Sequence, residues 1–314
     1  MTDGPAGDGG ISAATTPAPR TLVMGIVNVT PDSFSDGGRW AAPADAITHG
    51  QALLAEGADL LDIGAESTRP GFTPVAPAEQ LRRLLPVLNG LADTGVPLSV
   101  DTRSAQVAGA AIAAGATIVN DVSGGQADPA MFTLVAGAGV DYICQLWLRR
   151  TGGQSDGRET IADHPHPAPE KPFWQQTVDE LRHRRDACLA AGVAPKHLIL
   201  DPGLGFGPSP AADWETLAHL DAITALGGRI LIGASRKRFL AETVAATDAP
   251  ADEREAAGVA VTFWCAQHNI WAVRVHTAAP HRQAIAVAGR LATAGATLPT
   301  NFLQNFPAVD RIQP

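Results

Sequence analysis

Eight short apolar runs of β character, each followed by a run of helical character, constrain what this chain can fold into more than any other feature. The runs are 22–29, 60–65, 98–102, 117–122, 141–147, 198–202, 230–235 and 272–276. They are apolar nearly throughout, as strands buried on both faces must be. The intervening segments carry helical spacing. Leu81, Leu84, Leu85, Leu88 and Leu91 form one stripe at i, i+3, i+4, i+7 and i+10. This alternation predicts an α/β fold, a single (β/α)8 TIM barrel, with a doubly wound open sheet as the alternative. The count of eight, with no second domain, favours the barrel. A chain of 314 residues suits that size, and 45% hydrophobic residues can fill its core.

The segments outside the alternation read differently. Residues 1–20 are rich in Gly, Ala, Thr and Pro without a period and read as a flexible, disordered tail. Residues 21–294 are assigned to the barrel, and 295–314 to a loosely attached C-terminal extension. One connection is long: 149–172, after the fifth strand, is rich in Gly, Pro and charge, which suggests a functional or mobile loop. His164 and His166 within it read as exposed histidines rather than metal ligands.

Composition removes several function classes. A net charge of −9 argues against a general nucleic-acid binder. No apolar run is long enough to span a bilayer, and no basic segment followed by an apolar one opens the chain, so the expected location is cytoplasmic. Cys144, Cys188 and Cys265 lie far apart in apolar or helical surroundings and read as core residues.

The functional signal is where polarity interrupts the strands. Asn28, Asp62, Asp101, Asn120, Asp201, Ser235, Arg274 and His276 fall mostly near strand ends. In a barrel those ends meet at one mouth, where active sites are built. Asp62, whose neighbours continue as strand, is expected to be a satisfied core group; so many others are not, because buried polar groups are costly unless paired. Asp101, Asn120 and Asp201 can read the donor–acceptor edge of a flat nitrogen heterocycle. Arg274 and His276 are two apart and leave one face of one strand. With Arg236 and Lys237 they form a cationic patch on strands seven and eight, where barrels often hold phosphate. Gly233 to Lys237 is expected to lead into a helix whose N-terminal N–H groups help hold the anion. The first strand ends at Asn28 and feeds a loop, 30–38, dense in hydroxyl, carboxylate and glycine.

Taken together, these residues resemble dihydropteroate synthases, a folate-biosynthesis family inhibited by sulfonamides. The resemblance spans about 21–292 and rests on MGIVNVTPDSFSDGG (24–38), DIGAESTRPG (62–71), DPGLGFG (201–207) and GASRKRF (233–239). SVDT (99–102), NDVSGG (120–125) and VRVH (273–276) follow in the family's order. It implies a (β/α)8 barrel that joins 6-hydroxymethyl-7,8-dihydropterin diphosphate to 4-aminobenzoate and releases pyrophosphate. It implies that Asp101, Asn120, Asp201 and Lys237 hold the pterin. Asn28, Arg274 and His276 would hold the diphosphate with Mg²⁺, Asn28 being the protein residue near the metal. Thr68 and Arg69 would lie near the diphosphate; Phe34, Pro70, Phe206, Ser235, Arg236 and Lys237 would shape the aminobenzoate pocket. Arg274, His276 and Lys237 would be the catalytic residues, and loops 30–38 and 66–74 would close over the reaction. A homodimer through helices near the chain end is implied, with the apolar run 259–270 as a candidate surface.

Three places depart from the family pattern. Gln145-Leu146 stands where a Met-His pair is usual, Pro208 and Asp213 where a lysine and an asparagine are usual, and Thr277 where an aspartate commonly follows Arg-x-His. Two other readings therefore stay open: a pterin-binding paralogue with weak, altered or no synthase activity, and a folate-binding methyltransferase. The latter would share Asp101, Asn120 and Asp201 but would not need the TPDSFSDGG (30–38), STRPG (67–71) or Ser-Arg-Lys segments.

Overall fold

The structure is a computed structural model that describes residues 20–29, 43–66, 74–147, 171–244 and 250–295. Eight parallel strands close into a barrel in sequence order, as the alternation predicts: β1 (Leu22–Asn28), β2 (Leu60–Gly64), β3 (Leu98–Asp101), β4 (Ile118–Asp121), β5 (Asp141–Gln145), β6 (Leu198–Asp201), β7 (Arg229–Ile232) and β8 (Ala272–Val275). Each is one or two residues shorter than the apolar run that announces it, because the last residues of several runs turn out of the ladder into the mouth loops. The surrounding helices are α1 (Pro43–Ala55), α2 (Pro77–Leu91), α3 (Ala105–Ala113), α4 (Met131–Ala138), α5 (Phe173–Ala190), α6 (Pro210–Ala218), α7 (Leu220–Thr224), α8 (Glu255–Gln267) and α9 (Ala279–Thr293).

Period-two alternation sorts the strand residues into two cores. One face of the strands packs outward against the helices; Val23, Val27, Leu61, Ile63, Val100, Val119 and Leu200 belong to this larger cluster. On α2, Leu84, Val87, Leu88 and Leu91 are buried against it, so the leucine stripe faces the barrel, with Leu81 and Leu85 at its half-buried edges. The other face points inward. Met24, Leu60, Ile118, Ile143, Ile199, Leu231 and Ala272, one from every strand except β3, fill the barrel interior as a dry floor. On β3 the inward residue is Ser99, whose hydroxyl donates to Asp62 at 2.6 Å. The three cysteines are free and buried, as core packing requires.

The boundaries need one correction. Arg20, assigned to the tail, is tied to the barrel: its guanidinium makes two hydrogen bonds to the Asp59 carboxylate, 2.6 and 3.0 Å. Residues 1–19 and 296–314 lie outside the described residues, as do 148–170 with His164 and His166.

Two glycines show how tightly the mouth is built. Gly203, at φ +72°, would place an added Cβ 2.0 Å from the backbone oxygen of Leu146. Gly115, at φ +103°, would meet nothing within 4 Å. Gly203→Ala is therefore expected to cost about 3 kcal/mol or more, and Gly115→Ala only about 1 kcal/mol, from backbone strain alone. Urea unfolding of the two variants checks the difference; equal losses would mean that the β5–β6 junction relaxes freely.

Candidate active site

Parity decides which strand residues see the mouth. Counting up by twos from the apolar floor gives Ile26 and then Asn28 above Met24, Asp62 above Leu60, Asn120 above Ile118, Gln145 above Ile143, Asp201 above Ile199 and Arg274 above Ala272. Asp101 follows Ser99 on β3. A polar layer thus lies directly on an apolar one. Inward glycines leave room within it: a Cβ at Gly233 would come within about 4 Å of Lys237 Nζ, Arg274 Cβ and Asp201 Oδ2.

Arg274 and Asp62 organise the layer. Arg274 Nε donates to Asp62 Oδ2 at 2.6 Å and Nη2 donates to Asp101 Oδ2 at 2.8 Å. Asp62 is fully buried and takes two more hydrogen bonds, from Ser99 Oγ at 2.6 Å and from Asn120 Nδ2 at 2.9 Å. It is satisfied, as its sequence context predicts, yet it belongs to the site. A carboxylate can only accept, so Asp62 turns the Asn120 amide with its NH2 inward and leaves Oδ1 as the outward acceptor. That Oδ1 is buried and has no protein partner. Burial pushes the Asp101 carboxyl up to about 7, against the pull of Arg274 and with the nearby Asp62 charge adding to the rise.

Lys237 and Asp201 form the opposite wall. Asp201 Oδ1 accepts from the Gly203 N–H at 2.7 Å. Burial raises the Asp201 carboxyl, opposed by the Lys237 charge. Lys237 lies across Gly205, donates from Nζ to the Leu204 carbonyl and sits 5.0 Å over the Phe206 ring. Burial lowers its ammonium to about 8, opposed by Asp201. Phe206 meets Trp147 edge to face at 6.4 Å, and Arg103 lies 5.4 Å over the Trp147 ring. Arg103 in turn donates to Glu66, which also accepts from the Val75 N–H at 2.9 Å and so ties together the two ends of segment 67–73.

The strand-seven and strand-eight cations are individually held. Ser235 Oγ accepts from the His276 backbone N–H at 3.3 Å and sits 3.0 Å from Nδ1. A hydroxyl already accepting that N–H is poised to donate to Nδ1, which leaves the neutral ring's proton on Nε2. Arg236, at φ +61°, donates from Nε to Glu255 Oε2 at 3.2 Å. Glu255 also accepts from Thr277 and lies 3.0 Å from His281 Nε2, whose Nδ1 is 2.6 Å from Thr262 Oγ1. Burial pushes Glu255 up, but these partners together hold it below the ordinary carboxylate range.

Two expectations need correction. The four basic residues do not form an open cationic patch: Arg274 and Arg236 are paired with carboxylates and Lys237 with a carbonyl, because a half-buried cation without an anion must find acceptors. Nor does the segment after β7 open an α-helix. Arg238–Thr243 is a short 3-10 turn, and α8 begins only at Glu255, so no long helix dipole points at the mouth from there. Sequence reading also missed Asp62 as an anchor, Trp147 as a wall residue and Glu255 as the partner of Arg236. Phe34, Thr68, Arg69 and Pro70 lie outside the described residues.

The departures from the family pattern mostly have local partners. Asp213 is buried and accepts from the Gly205 N–H at 2.7 Å, bracing the loop under Lys237. Thr277 donates to Glu255. Pro208 is exposed, one residue before the Ser209 cap of α6. Leu146 faces the outer core. Among the described residues no group of three His, Cys, Asp or Glu side chains could hold a metal ion.

Removing Asp62 leaves a buried guanidinium and a buried amide short of their shared acceptor. Asp62→Ala is expected to lower stability by about 3–5 kcal/mol, the scale of a broken buried ion pair. Urea denaturation measures it; a loss under 1 kcal/mol would show that Arg274 does not depend on this carboxylate.

Residues 24–276 match the family described as pterin binding enzyme. The dihydropteroate synthase of Mycobacterium leprae is 44% identical over 280 residues, covering 87% of this chain and 94% of that protein. The Staphylococcus haemolyticus dihydropteroate synthase is 37% identical, covering 82% and 90%. The fold superimposes on Xanthomonas albilineans dihydropteroate synthase solved with 4-aminobenzoic acid, with a TM-score of 0.76, 39% identity, and coverage of 90% and 95%. The chain belongs to the pterin-binding enzyme family and, within it, to the dihydropteroate synthases.

Proposed function

We propose that the barrel mouth joins 6-hydroxymethyl-7,8-dihydropterin diphosphate to 4-aminobenzoate, giving 7,8-dihydropteroate and pyrophosphate, with the residues of the polar layer in the following roles. The observation that carries the assignment is the juxtaposition, above a dry floor, of unspent acceptors on β4 and β6 with cations from the β7 and β8 ends. Asn120 Oδ1 and the Asp101 and Asp201 carboxylates accept ring N–H and amino hydrogens. Lys237 donates to a ring acceptor. Phe206, with Trp147 beside it, forms an apolar wall for the aromatic amine, and Arg236 and Ser235 flank its carboxylate; the family resemblance assigns Phe34 and Pro70, outside the described residues, to the same substrate.

The bond that breaks joins the pterin methylene to the diphosphate oxygen; the electron pair leaves with pyrophosphate. The electron-rich ring delocalises the positive charge, so no covalent nucleophile is needed. Arg274 is held on its Nε edge by Asp62 and Asp101, which leaves its Nη1 end for the leaving oxygens. His276 Nε2–H donates to the same oxygens, with Thr68 and Arg69 beside them. The aminobenzoate nitrogen then attacks the methylene carbon and loses a proton. Loops 30–38 and 66–74 exclude water from the cation. Mg²⁺ fits this donor set, because it commonly keeps several waters and binds through one or two protein oxygens plus substrate phosphates. Asn28, the last inward residue of β1, would hold it, and the ion would neutralise charge on the departing diphosphate.

A homodimer is part of the same proposal, through α8 and α9. Val261, Cys265 and Ile270 of the 259–270 run are buried in the chain's own core. Among the described residues the exposed large apolar side chains are instead Val287 and Leu291 on α9, one helical turn apart. Val287→Glu is expected to convert the dimer to monomer in light scattering; an unchanged mass would remove α9 from the interface.

Turnover is tested by following pyrophosphate and dihydropteroate from the two substrates with Mg²⁺. Asp101→Asn and Arg274→Ala are each expected to lower kcat/KM about 100-fold or more, the effect of removing one preorganised charge partner. Retained turnover in both would reject these roles. The pH dependence follows from the two shifted groups. Asp101 must be ionised to accept, so pterin affinity rises as pH passes about 7. Lys237 must be charged to donate at full strength, so affinity falls as pH passes about 8. Calorimetry with the unphosphorylated hydroxymethyl-dihydropterin avoids titration of the diphosphate; a flat profile between pH 6 and 9 would contradict both assignments.

A further inference from the structure

Gln145 closes β5 and, by parity with Ile143, points into the barrel at the level of Asp201, its register partner on β6. The side chain is 7% exposed, and its Nε2 is fully buried with no hydrogen-bond partner. A buried primary amide with an unspent NH2 carries a desolvation cost that no bond in the protein offsets. Nothing in the fold requires that cost. The position below it is an isoleucine, and an apolar residue of similar length would fit the same inward site without an orphaned donor. A second orphan, the acceptor Asn120 Oδ1, lies on the adjacent strand β4, in register with Ile143, one inward position below Gln145, and the two do not bond to each other. Unpaired complementary groups at successive inward positions of adjacent strands are what a ligand with both donors and acceptors along one edge would satisfy.

We propose that Gln145 is a specificity-determining pterin contact, its Nε2 donating to a ring acceptor, a carbonyl oxygen or imine nitrogen, while Asn120 Oδ1 accepts from a ring N–H. The proposal rests on the synthase reading and deepens it. Asp101 and Asp201 supply carboxylate acceptors and the Asn120 NH2 is turned to Asp62, so beside Gln145 the side-chain donor for the pterin edge is Lys237. A neutral amide donor keeps that contact above pH 8, where Lys237 loses its charge. The site thus recognises the oxo-pyrimidine ring through two donors of different kinds.

Gln145→Met separates this role from packing. Methionine preserves length and apolar volume but cannot donate. The Kd for the pterin diphosphate with Mg²⁺ is expected to weaken about 5- to 20-fold, the scale of one neutral hydrogen bond made in a dry site. The ligand-free Tm is expected to stay the same or rise, because an orphaned donor has been removed. A pterin analogue lacking the ring carbonyl, or one lacking the imine nitrogen, should bind wild type and variant equally, identifying the acceptor. Unchanged Kd overturns the proposal. So does a weaker Kd with a lowered Tm, or an equal loss for both analogues and the parent ligand, each of which marks packing rather than donation. Wild-type protein that turns over the diphosphate while Gln145→Met binds it as tightly overturns this assignment alone. Wild-type protein that neither binds nor turns it over overturns the synthase reading, and this assignment with it.

Discussion

The Arg274–Asp62 pair is the interaction on which the mouth depends. A guanidinium cannot shed its charge, so a barrel that carries one on an inward strand position must supply an acceptor at the same depth. Asp62 does so from β2, across β1, and is itself saturated by Ser99 and Asn120. An ion pair at this depth contributes little net stability, since desolvating both charges offsets most of their attraction. Its value lies in aim. It fixes one edge of Arg274, it fixes the Asn120 amide, and it places a second carboxylate, Asp101, where repulsion and burial raise its proton affinity. Three functional groups are oriented by one carboxylate that need not touch the substrate.

Strand parity explains why a chain with so few polar strand residues can concentrate them. Each strand is four to seven residues long, so each offers only two or three inward positions above the bottom rim. The lower positions are apolar and close the barrel to water. The upper ones need not be, because they face a substrate. Moving any of these polar residues by one position would send it into the outer core among the helices. The site is therefore specified by the same period that specifies the sheet, and the two cannot be changed independently.

That coupling also sets what was legible in the sequence. The eight strands, their order and the functional strand ends follow from periodicity and polarity, which are local signals. Asp101, Asn120, Asp201 and Arg274 all fall in one layer, as their strand-end positions imply. Asp62 reads as a core group because its neighbours continue the strand; its tie to Arg274 spans 212 positions and leaves no local trace. Glu255 sits in the first turn of α8, where an acidic residue is unremarkable, yet it holds Arg236 in a positive-φ conformation. Trp147 closes the apolar run 141–147 and carries no sequence signal of the wall it forms with Phe206 and Arg103. The cationic patch was legible as a set of charges but not as a set of ion pairs, since the pairing runs between strands and helices far apart in sequence.

The departures from the family pattern show how compensation distributes in such a site. Asp213 braces Gly205 and Thr277 donates to Glu255, so each replacement has been absorbed by a neighbour on the supporting side of a functional residue. Pro208 stands in solvent, where losing a positive side chain leaves no buried group unpaired. Gln145 differs in kind. It stands in the inward layer and has a buried donor that the protein itself does not satisfy. A substitution absorbed by the scaffold is neutral for the reaction; one left unsatisfied by the scaffold shifts its cost onto the ligand-free state and recovers it on binding. On the role proposed for Gln145, the chemical step stays common to the family while the grip on the heterocycle is particular to this chain.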